Sequence, residues 1–211
     1  MLVFTEADMV ARGSHRGIFL NDDFKNKCFK IVIARKKGAW WKRIRPLSWY
    51  SENIKEIKTY KLIEKKNDPK IFDFIPNFYG VIKTNLGDAM LIDYIGDSMS
   101  IKEYIAKYGL TEQLKKSLMN MFRVFYKNNV QIRDQHLNNY LVKMGDGGDV
   151  SVKLIDGIGS SQLIPLADHV PFIGRRQLLR RINKLFNAIY EEFPDYRGSL
   201  KFDREDATAG D

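Results

Sequence analysis

Three oxygen-bearing side chains surround one predicted β-hairpin and could together bind a divalent cation. Asp134 and Asn139 lie five residues apart in a polar loop, and Asp156 follows the second apolar run of the hairpin, residues 150–155. The GDGG segment at 145–148 is typical of a tight turn. Because a hairpin returns the chain to its starting point, we expect these side chains on one side of a cleft. Carboxylate and amide oxygens suit Mg²⁺, a hard cation that keeps substrate phosphates among its ligands.

The order of these residues resembles the catalytic segments of protein kinases. The kinase catalytic loop has an Asp and an Asn separated by four residues, and the metal-binding Asp-Phe-Gly segment follows after a hairpin. The same order is found here in Asp134, Asn139 and Asp156. The kinase triplet His-Arg-Asp reads Ile-Arg-Asp at 132–134, and Asp-Phe-Gly reads Asp-Gly-Ile at 156–158. The alternative is an ordinary hairpin in which the Asp and Asn side chains serve turns.

Lys30 is the candidate phosphate-binding residue upstream of this hairpin. It lies in the apolar run 28–33, so it must either point to solvent or meet a charged partner, because burying an unpaired ammonium group is costly. Residues 51–66 have helical spacing and carry Glu56. In the kinase pattern, Lys30 corresponds to the lysine of the α- and β-phosphates, and Glu56 rather than Glu52 to its helix partner. The alternatives are a solvated strand face and a solvent-exposed ion pair.

Glycines precede this lysine in a predicted hairpin over residues 17–33. Gly13 and Gly17 occupy part of the kinase G-x-G-x-x-G pattern, in which the backbone must approach the nucleotide phosphates closely. Taken alone, two glycines at this spacing are more often typical of a plain turn. Cys28, the only cysteine, excludes an internal disulfide and is interpreted as a small buried hydrophobic residue.

A second hairpin is predicted from strands at 72–81 and 87–95. The kinase resemblance makes residues 96–98 the connection between two lobes, where backbone groups meet the adenine of ATP. Asp93, Tyr94 and Ile95 are therefore candidate nucleotide-binding residues.

Helical patterns dominate the rest of the chain. They cover residues 101–108, 113–128 and 175–193. The last of these helices has a basic face that is interpreted as solvated, and the polar tail after it is expected to fray. The predicted fold class is α+β, a two-lobed protein-kinase-like fold. Its N-terminal lobe, residues 1–95, has a small antiparallel sheet and one helix, and its reduced helical C-terminal lobe spans residues 96–211.

Composition limits the classes of partner. The 211 residues carry a net charge of +9 with an isoelectric point near 9.5, which favours nucleotide phosphates, nucleic acid or an anionic surface. The basic and aromatic segment 35–50 could contact an anionic surface from Arg35 to Arg45, or stack on bases through Trp40, Trp41 and Trp49. No transmembrane segment or secretory signal is apparent, so a cytoplasmic location is expected.

The chain as a whole resembles the YrbL family of PhoP regulatory network proteins, short bacterial kinase-like proteins. The segments that carry the resemblance are GSHRGIF, NKCFKIV, ENIKEIKTYKLI, RDQHLNNYLV and KLIDGIGSSQLIPL. Lipopolysaccharide-core sugar kinases are a related possibility.

This resemblance implies an ATP- and Mg²⁺-dependent phosphotransferase that acts on a hydroxyl acceptor. Lys30, Glu56 and Asp134 would be catalytic, and Asn139 and Asp156 would hold the metal. No Ala-Pro-Glu segment follows Asp156, so a small molecule or sugar is expected as acceptor rather than a protein. The alternative is a non-catalytic, pseudokinase-type regulatory module; nucleic-acid binding is a third reading.

Overall fold

The computed structural model describes residues 1–13, 16–33, 52–145, 147–159, 167 and 170–208, without the side chain of Glu52. These residues form a mixed α+β fold with two antiparallel sheets, which confirms the predicted fold class at that level. The chain divides into two compact units. Unit 1 comprises Met1–Leu62 and Asn77–Gly96, and unit 2 comprises Ile63–Pro76 and Asp97–Asp211. The kinase-like arrangement and the boundary after residue 95 stay predictions.

Unit 1 contains a five-stranded antiparallel sheet with the strand order β1-β2-β3-β5-β4. The strands are β1 (Met9–Arg12), β2 (Arg16–Phe19), β3 (Lys27–Val32), β4 (Phe78–Thr84) and β5 (Gly87–Asp93). Helix α1 (Glu52–Glu64) follows β3 in the described part of the chain. One core cluster joins Phe4, Phe19 and Phe29 to buried residues of β5, and the Phe4 and Phe29 rings lie 4.9 Å apart. The predicted hairpin over 17–33 is confirmed as β2 and β3.

The sequence-based predictions for the two edge strands of this sheet, β1 and β4, are wrong in part. Residues 72–81 were expected to form one strand, but Pro69–Asp73 is a 3₁₀ helix and β4 begins only at Phe78. The Asp68 side chain accepts a hydrogen bond from Lys70 N at 3.0 Å, and Pro69 supplies the φ angle of a first helical position. The prediction also missed β1.

Unit 2 contains a three-stranded antiparallel sheet and most of the helices. The strands β6 (Ser98–Ser100), β7 (Tyr140–Met144) and β8 (Val150–Leu154) pair in that order, which confirms the predicted hairpin. Helix α2 (Ile101–Tyr108) begins at a capping box between Ser100 and Glu103, and α3 (Glu112–Lys127) begins where Thr111 caps Leu114 N at 3.2 Å. The apolar stripe of α3 is buried, as expected: Leu114, Leu118, Met121, Phe122 and Phe125.

The C-terminal part of unit 2 is more ordered than its sequence indicated. Helix α4 (Pro171–Glu192) begins four residues before the predicted start at Arg175. Proline is well suited to the first position of a helix, and Pro171 occupies that position. The tail was expected to fray, yet it forms α5 (Arg204–Thr208). Phe202 is buried, 5.6 Å from the Phe122 ring, and Arg123 Nε donates a hydrogen bond to Asp206 O at 3.0 Å. Side-chain packing on α3 therefore holds this polar tail.

None of the helices in the described part of the chain combines the length and apolar character that a membrane span needs. The basic and aromatic segment 35–50 lies outside the described residues, as do Ser14, His15 and residues 209–211.

Candidate functional site

Lys30 and Glu56 form a buried ion pair in unit 1. Lys30 Nζ lies 2.8 Å from Glu56 Oε1, and the two residues are 3% and 0% exposed. Lys30 is on β3 and Glu56 on α1, so the helix and the sheet are joined by a charge-assisted hydrogen bond. The structure thus brings together the two residues that the sequence paired. Their role toward a nucleotide stays a prediction.

Arg16 is a second cation on the same carboxylate, and the sequence analysis did not identify it. Its Nη1 contacts Glu56 Oε2, and Arg16 is 7% exposed. Glu56 is therefore the shared partner of two buried cations. The available signal was weak, because a basic residue at the start of a strand ordinarily indicates a solvated face.

Asn53 fixes the start of α1 against the sheet. Its amide Nδ2 donates to Lys30 O at 3.1 Å and to Asp88 O at 3.4 Å. Asn53 lies one helical turn before Glu56 and is 4% exposed. The backbone of Lys30 and the side chain of Lys30 are therefore both held by residues of the same helix.

The two glycines have structural explanations. Gly13 N donates a hydrogen bond to Arg16 O at 2.8 Å. Gly17 is buried in β2, and a Cβ atom there would lie 2.7 Å from Phe19 Cε2 and 2.8 Å from Ile33 Cδ1. Side-chain packing therefore accounts for Gly17, and a contact with nucleotide phosphates stays a prediction for both glycines.

The predicted adenine-binding segment already uses much of its hydrogen-bonding capacity. Asp93 N donates to Asn77 O at 3.1 Å, and Tyr94 N donates to Asn26 O at 3.0 Å. The Asp93 carboxylate accepts hydrogen bonds from Asn77 at 2.8 Å and from Tyr79 Oη at 2.7 Å. The bond to Asp93 raises the pKa of Tyr79. A base could not bind these two amide groups without breaking existing hydrogen bonds. The predicted role of Ile95 stays a prediction.

Asp134 and Asn139 contact one another in unit 2. Asn139 Nδ2 donates to Asp134 Oδ2 at 3.0 Å, and His136 N donates to Asp134 Oδ1 at 3.1 Å. Both carboxylate oxygens are therefore fixed, although Asp134 remains exposed to solvent. A carboxylate held in this way has one orientation to offer to an incoming hydroxyl group.

The hairpin register brings Asn139 next to the strand end that carries Asp156. Asn139 ends a short 3₁₀ helix, Leu137–Asn139, and its carbonyl accepts a hydrogen bond from Ile155 N at 2.9 Å. The next pair in the ladder is Tyr140 with Leu154. This pairing agrees with the expectation that the hairpin returns Asp156 to the Asn139 end.

Gly157 locks the Asp156 turn onto the Asp134 loop. Its carbonyl accepts hydrogen bonds from Arg133 N at 2.6 Å and Asp134 N at 3.4 Å. Its φ angle is +77°, and a Cβ atom would lie 2.7 Å from Asp134 Cβ. Asp156 Oδ1 accepts a hydrogen bond from Gly157 N at 2.6 Å. The departure from Asp-Phe-Gly therefore has a steric reason, since the residue after Asp156 must be small and tolerate positive φ.

The chemistry of these donors fits Mg²⁺. Because the Nδ2 of Asn139 faces Asp134, its Oδ1 is the side-chain atom left to accept a cation. Together with the Asp156 carboxylate it offers hard oxygen ligands. No group of three or more His, Cys, Asp or Glu side chains with metal-binding geometry occurs among the described residues, so phosphate or water oxygens would have to complete the coordination.

Two further side chains lie near the loop, and one of them, Arg181, is hydrogen-bonded to it. Arg181 of α4, expected in a solvated basic face, instead donates through Nη1 to Arg133 O at 3.2 Å and Gln135 Oε1 at 3.3 Å. Tyr140 is fully buried, and burial together with the charge of Asp134 raises the pKa of its hydroxyl group. Neither residue was identified from the sequence, because both positions match ordinary strand and helix patterns.

Comparison with known proteins assigns the chain to a family. A family model described as PhoP regulatory network protein YrbL matches residues 2–189. The chain belongs to the YrbL family. Two YrbL relatives, each named Uncharacterized protein YrbL, come from Escherichia coli (strain K12) and Shigella flexneri. Each is 25% identical over 175 residues, which cover 79% of this chain and 78% of the relative.

Proposed function

We propose that this chain is an ATP- and Mg²⁺-dependent phosphotransferase of protein-kinase-like fold that acts on a hydroxyl acceptor. The observation that carries the proposal is the buried pair of Lys30 with Glu56, at 2.8 Å. Burying an ion pair seldom stabilises a protein more than apolar packing would, so the presence of this pair is better explained by a use of the ammonium charge. The absence of an Ala-Pro-Glu segment favours a small molecule or sugar as acceptor.

In this proposal Lys30 binds the α- and β-phosphates and Glu56 holds it in position. Arg16, the second cation on Glu56, contacts the other carboxylate oxygen and so helps to fix the orientation of the carboxylate. Positioning and charge neutralisation carry most of the catalysis in phosphoryl transfer, so this preorganisation matters more than any covalent step.

Asp134 aligns the acceptor hydroxyl group and accepts its proton. Its carboxylate is exposed and is oriented by Asn139 and His136 N. Asn139 and Asp156 would hold Mg²⁺, which when bound neutralises charge on the transferred phosphoryl group. The use of ATP favours a cytoplasmic location.

Thermal unfolding with and without Mg·ATP tests nucleotide binding, because a ligand that binds only the folded state raises Tm by mass action. We expect a rise for the wild type and no rise for Lys30→Met or Asp156→Asn. Lys58→Met, an exposed lysine of α1, is the matched control and should keep the rise. Acceptor phosphorylation is then followed with labelled ATP and a panel of sugars. An Asp156→Asn protein with full ATP-dependent phosphorylation would exclude the assignment.

The second candidate function is a non-catalytic regulatory module. The occupied amide groups of Asp93 and Tyr94 favour it, and the family description names a PhoP regulatory network. A Tm that does not change with Mg·ATP, in wild type and variants alike, would support the module and count against the phosphotransferase.

A further inference from the structure

One side of α4 carries cations in a regular row beside exposed apolar residues. Phe172, Arg176, Arg180 and Lys184 follow one another at intervals of four, which places them along the same edge of the helix. With Ile173, Gln177 and Arg181 they line a surface groove of about 540 Å³. The opposite side of α4 is buried through Leu178, Ile182, Leu185, Phe186 and Ile189.

The cations of this row are not neutralised within the described residues. Arg175 and Arg181, in contrast, are engaged by the protein: Arg175 Nε donates to Tyr126 O at 3.2 Å, and Arg181 holds the Asp134 loop. Arg176, Arg180 and Lys184 form no ion pair with any described carboxylate. Residues 171 to 190 include no Asp or Glu. The row therefore offers uncompensated positive charge to an outside partner.

Apolar side chains are exposed at one end of the row. Phe172 is 75% exposed, Ile173 41% and Val170 39%. Clustered exposed apolar residues next to cations are typical of sites that contact a partner with both apolar and anionic parts. Two of the three are aliphatic and cannot stack on bases, which disfavours nucleic acid.

We propose that this side of α4 docks on an anionic phospholipid surface. Phe172, Ile173 and Val170 enter the boundary between headgroups and acyl chains, while Arg176, Arg180 and Lys184 contact lipid phosphates. From Arg176 to Lys184 the helix rises by about 12 Å, which spans more than one headgroup and exceeds the reach of a single phosphate ion. The proposal is independent of phosphotransferase activity.

Co-sedimentation with lipid vesicles tests the proposal. The full chain is mixed with vesicles of phosphatidylcholine alone or of phosphatidylcholine with phosphatidylglycerol. We expect binding only to the anionic vesicles, weakened by salt. The variant R176Q/R180Q should bind at least about tenfold more weakly, since each cation near an anionic surface contributes roughly a fivefold factor. Phe172→Gln should lose roughly tenfold through the lost apolar contact.

The control variant K58Q/K61Q removes the same charge from exposed positions of α1 and should bind as the wild type does. Ile173→Gln provides a second apolar variant if Phe172→Gln fails to fold. Equal loss in K58Q/K61Q would overturn the proposal, because binding would then follow net charge alone. Full binding by both apolar variants, or displacement by inorganic pyrophosphate or an oligonucleotide, would show a soluble polyanion site and also overturn it. Absence of sedimentation with anionic vesicles would do the same.

Discussion

Arg16 and Glu56 are paired inside unit 1 although they lie 40 positions apart in the sequence. This contact makes Glu56 the common partner of two buried cations, since Lys30 binds the other carboxylate oxygen. Loss of each of the three side chains therefore has a different effect on the stability of the folded protein. Removing the carboxylate leaves two cations without their shared partner contact, whereas removing Lys30 leaves Glu56 with Arg16.

Glu56→Ala should destabilise the folded protein far more than Lys30→Met. Loss of one partner from a buried ion pair costs about 3–5 kcal/mol because the remaining charge stays buried. Lys30→Met removes a charge but keeps apolar volume and the Arg16–Glu56 pair. Urea unfolding of both variants measures the difference. If the two variants lose equal stability, Arg16 does not compensate for Lys30.

Gly157→Ala should impair the Asp134 loop specifically. The new Cβ atom would meet Asp134 Cβ at 2.7 Å, and the φ angle of +77° adds backbone strain. Gly198→Ala is the control, because Gly198 has a φ angle of +84° and no atom within 4 Å of the new Cβ. Strain alone should cost about 1–3 kcal/mol in either variant. Denaturant unfolding should show a larger loss for Gly157→Ala; equal losses would contradict the steric explanation.

The contact between Gly157 and Asp134 shows which features of this site can be predicted from the sequence and which cannot. The hairpin and its polar ends were predictable, because alternating apolar residues and the GDGG turn determine the local pairing. In the resemblance to kinases, Gly157 is a mismatch, because the kinase segment has Phe at the corresponding position. Gly is required there because Asp134 approaches residue 157 closely. This contact joins two segments separated by a hairpin, so the spacing of neighbouring residues does not predict it.

Tyr140→Phe should stabilise the protein or leave its stability unchanged. The Tyr140 hydroxyl is buried and has no hydrogen-bond partner among the described residues, so the wild type carries an unpaired polar group. Tyr190→Phe is the matched control, because Tyr190 Oη donates to Leu200 O at 2.7 Å and accepts from Leu200 N at 2.8 Å. The control should lose about 1 kcal/mol. Thermal unfolding of both variants checks the prediction, which fails if Tyr140→Phe is the less stable.

Helix α5 should lose its N-terminal cap in acid. Asp203 Oδ1 accepts hydrogen bonds from Glu205 N at 2.9 Å and Asp206 N at 3.1 Å, and Lys201 Nζ lies 2.7 Å from Oδ2. The bond from Lys201, and then that from Asp206, lowers the pKa of Asp203 from 3.8 to about 2. Because the pKa of Asp203 is lower in the folded state, its carboxylate stabilises the folded protein at pH values above the ordinary pKa of 3.8. This contribution is lost as the pH falls toward 2.

Amide hydrogen NMR shifts of Glu205 and Asp206 report this transition. We expect them to move in the wild type as pH falls through that range, and Asp203→Asn should already show weakened capping at neutral pH. Shifts that follow the ordinary carboxyl pKa would show that the Lys201 bond does not form in solution.

Helix α5 and the 3₁₀ helix at Pro69–Asp73 show why local patterns mislead. Residues 71–75, Ile-Phe-Asp-Phe-Ile, alternate as a strand does, yet Asp68 and Pro69 begin a 3₁₀ helix just before them. The polar tail lacked an apolar period, although Asp203 offered a capping signal. Buried charged residues are harder still to predict from the sequence. Lys30 and Glu56 could be paired from the resemblance to kinases, but no local pattern distinguished Arg16 from a solvated residue.

The interleaved course of the chain limits how the protein can be divided. Unit 2 recruits Ile63–Pro76 from within the sequence of unit 1, and this segment is bound to β8 through Leu154 N to Phe74 O at 2.8 Å and Lys153 Nζ to Phe72 O at 2.7 Å. A fragment beginning at residue 97 would leave strand β8 without those partners. Neither unit can be cut out as one continuous piece, so expression of an isolated unit would require its two segments to be joined by a new linker rather than simple truncation.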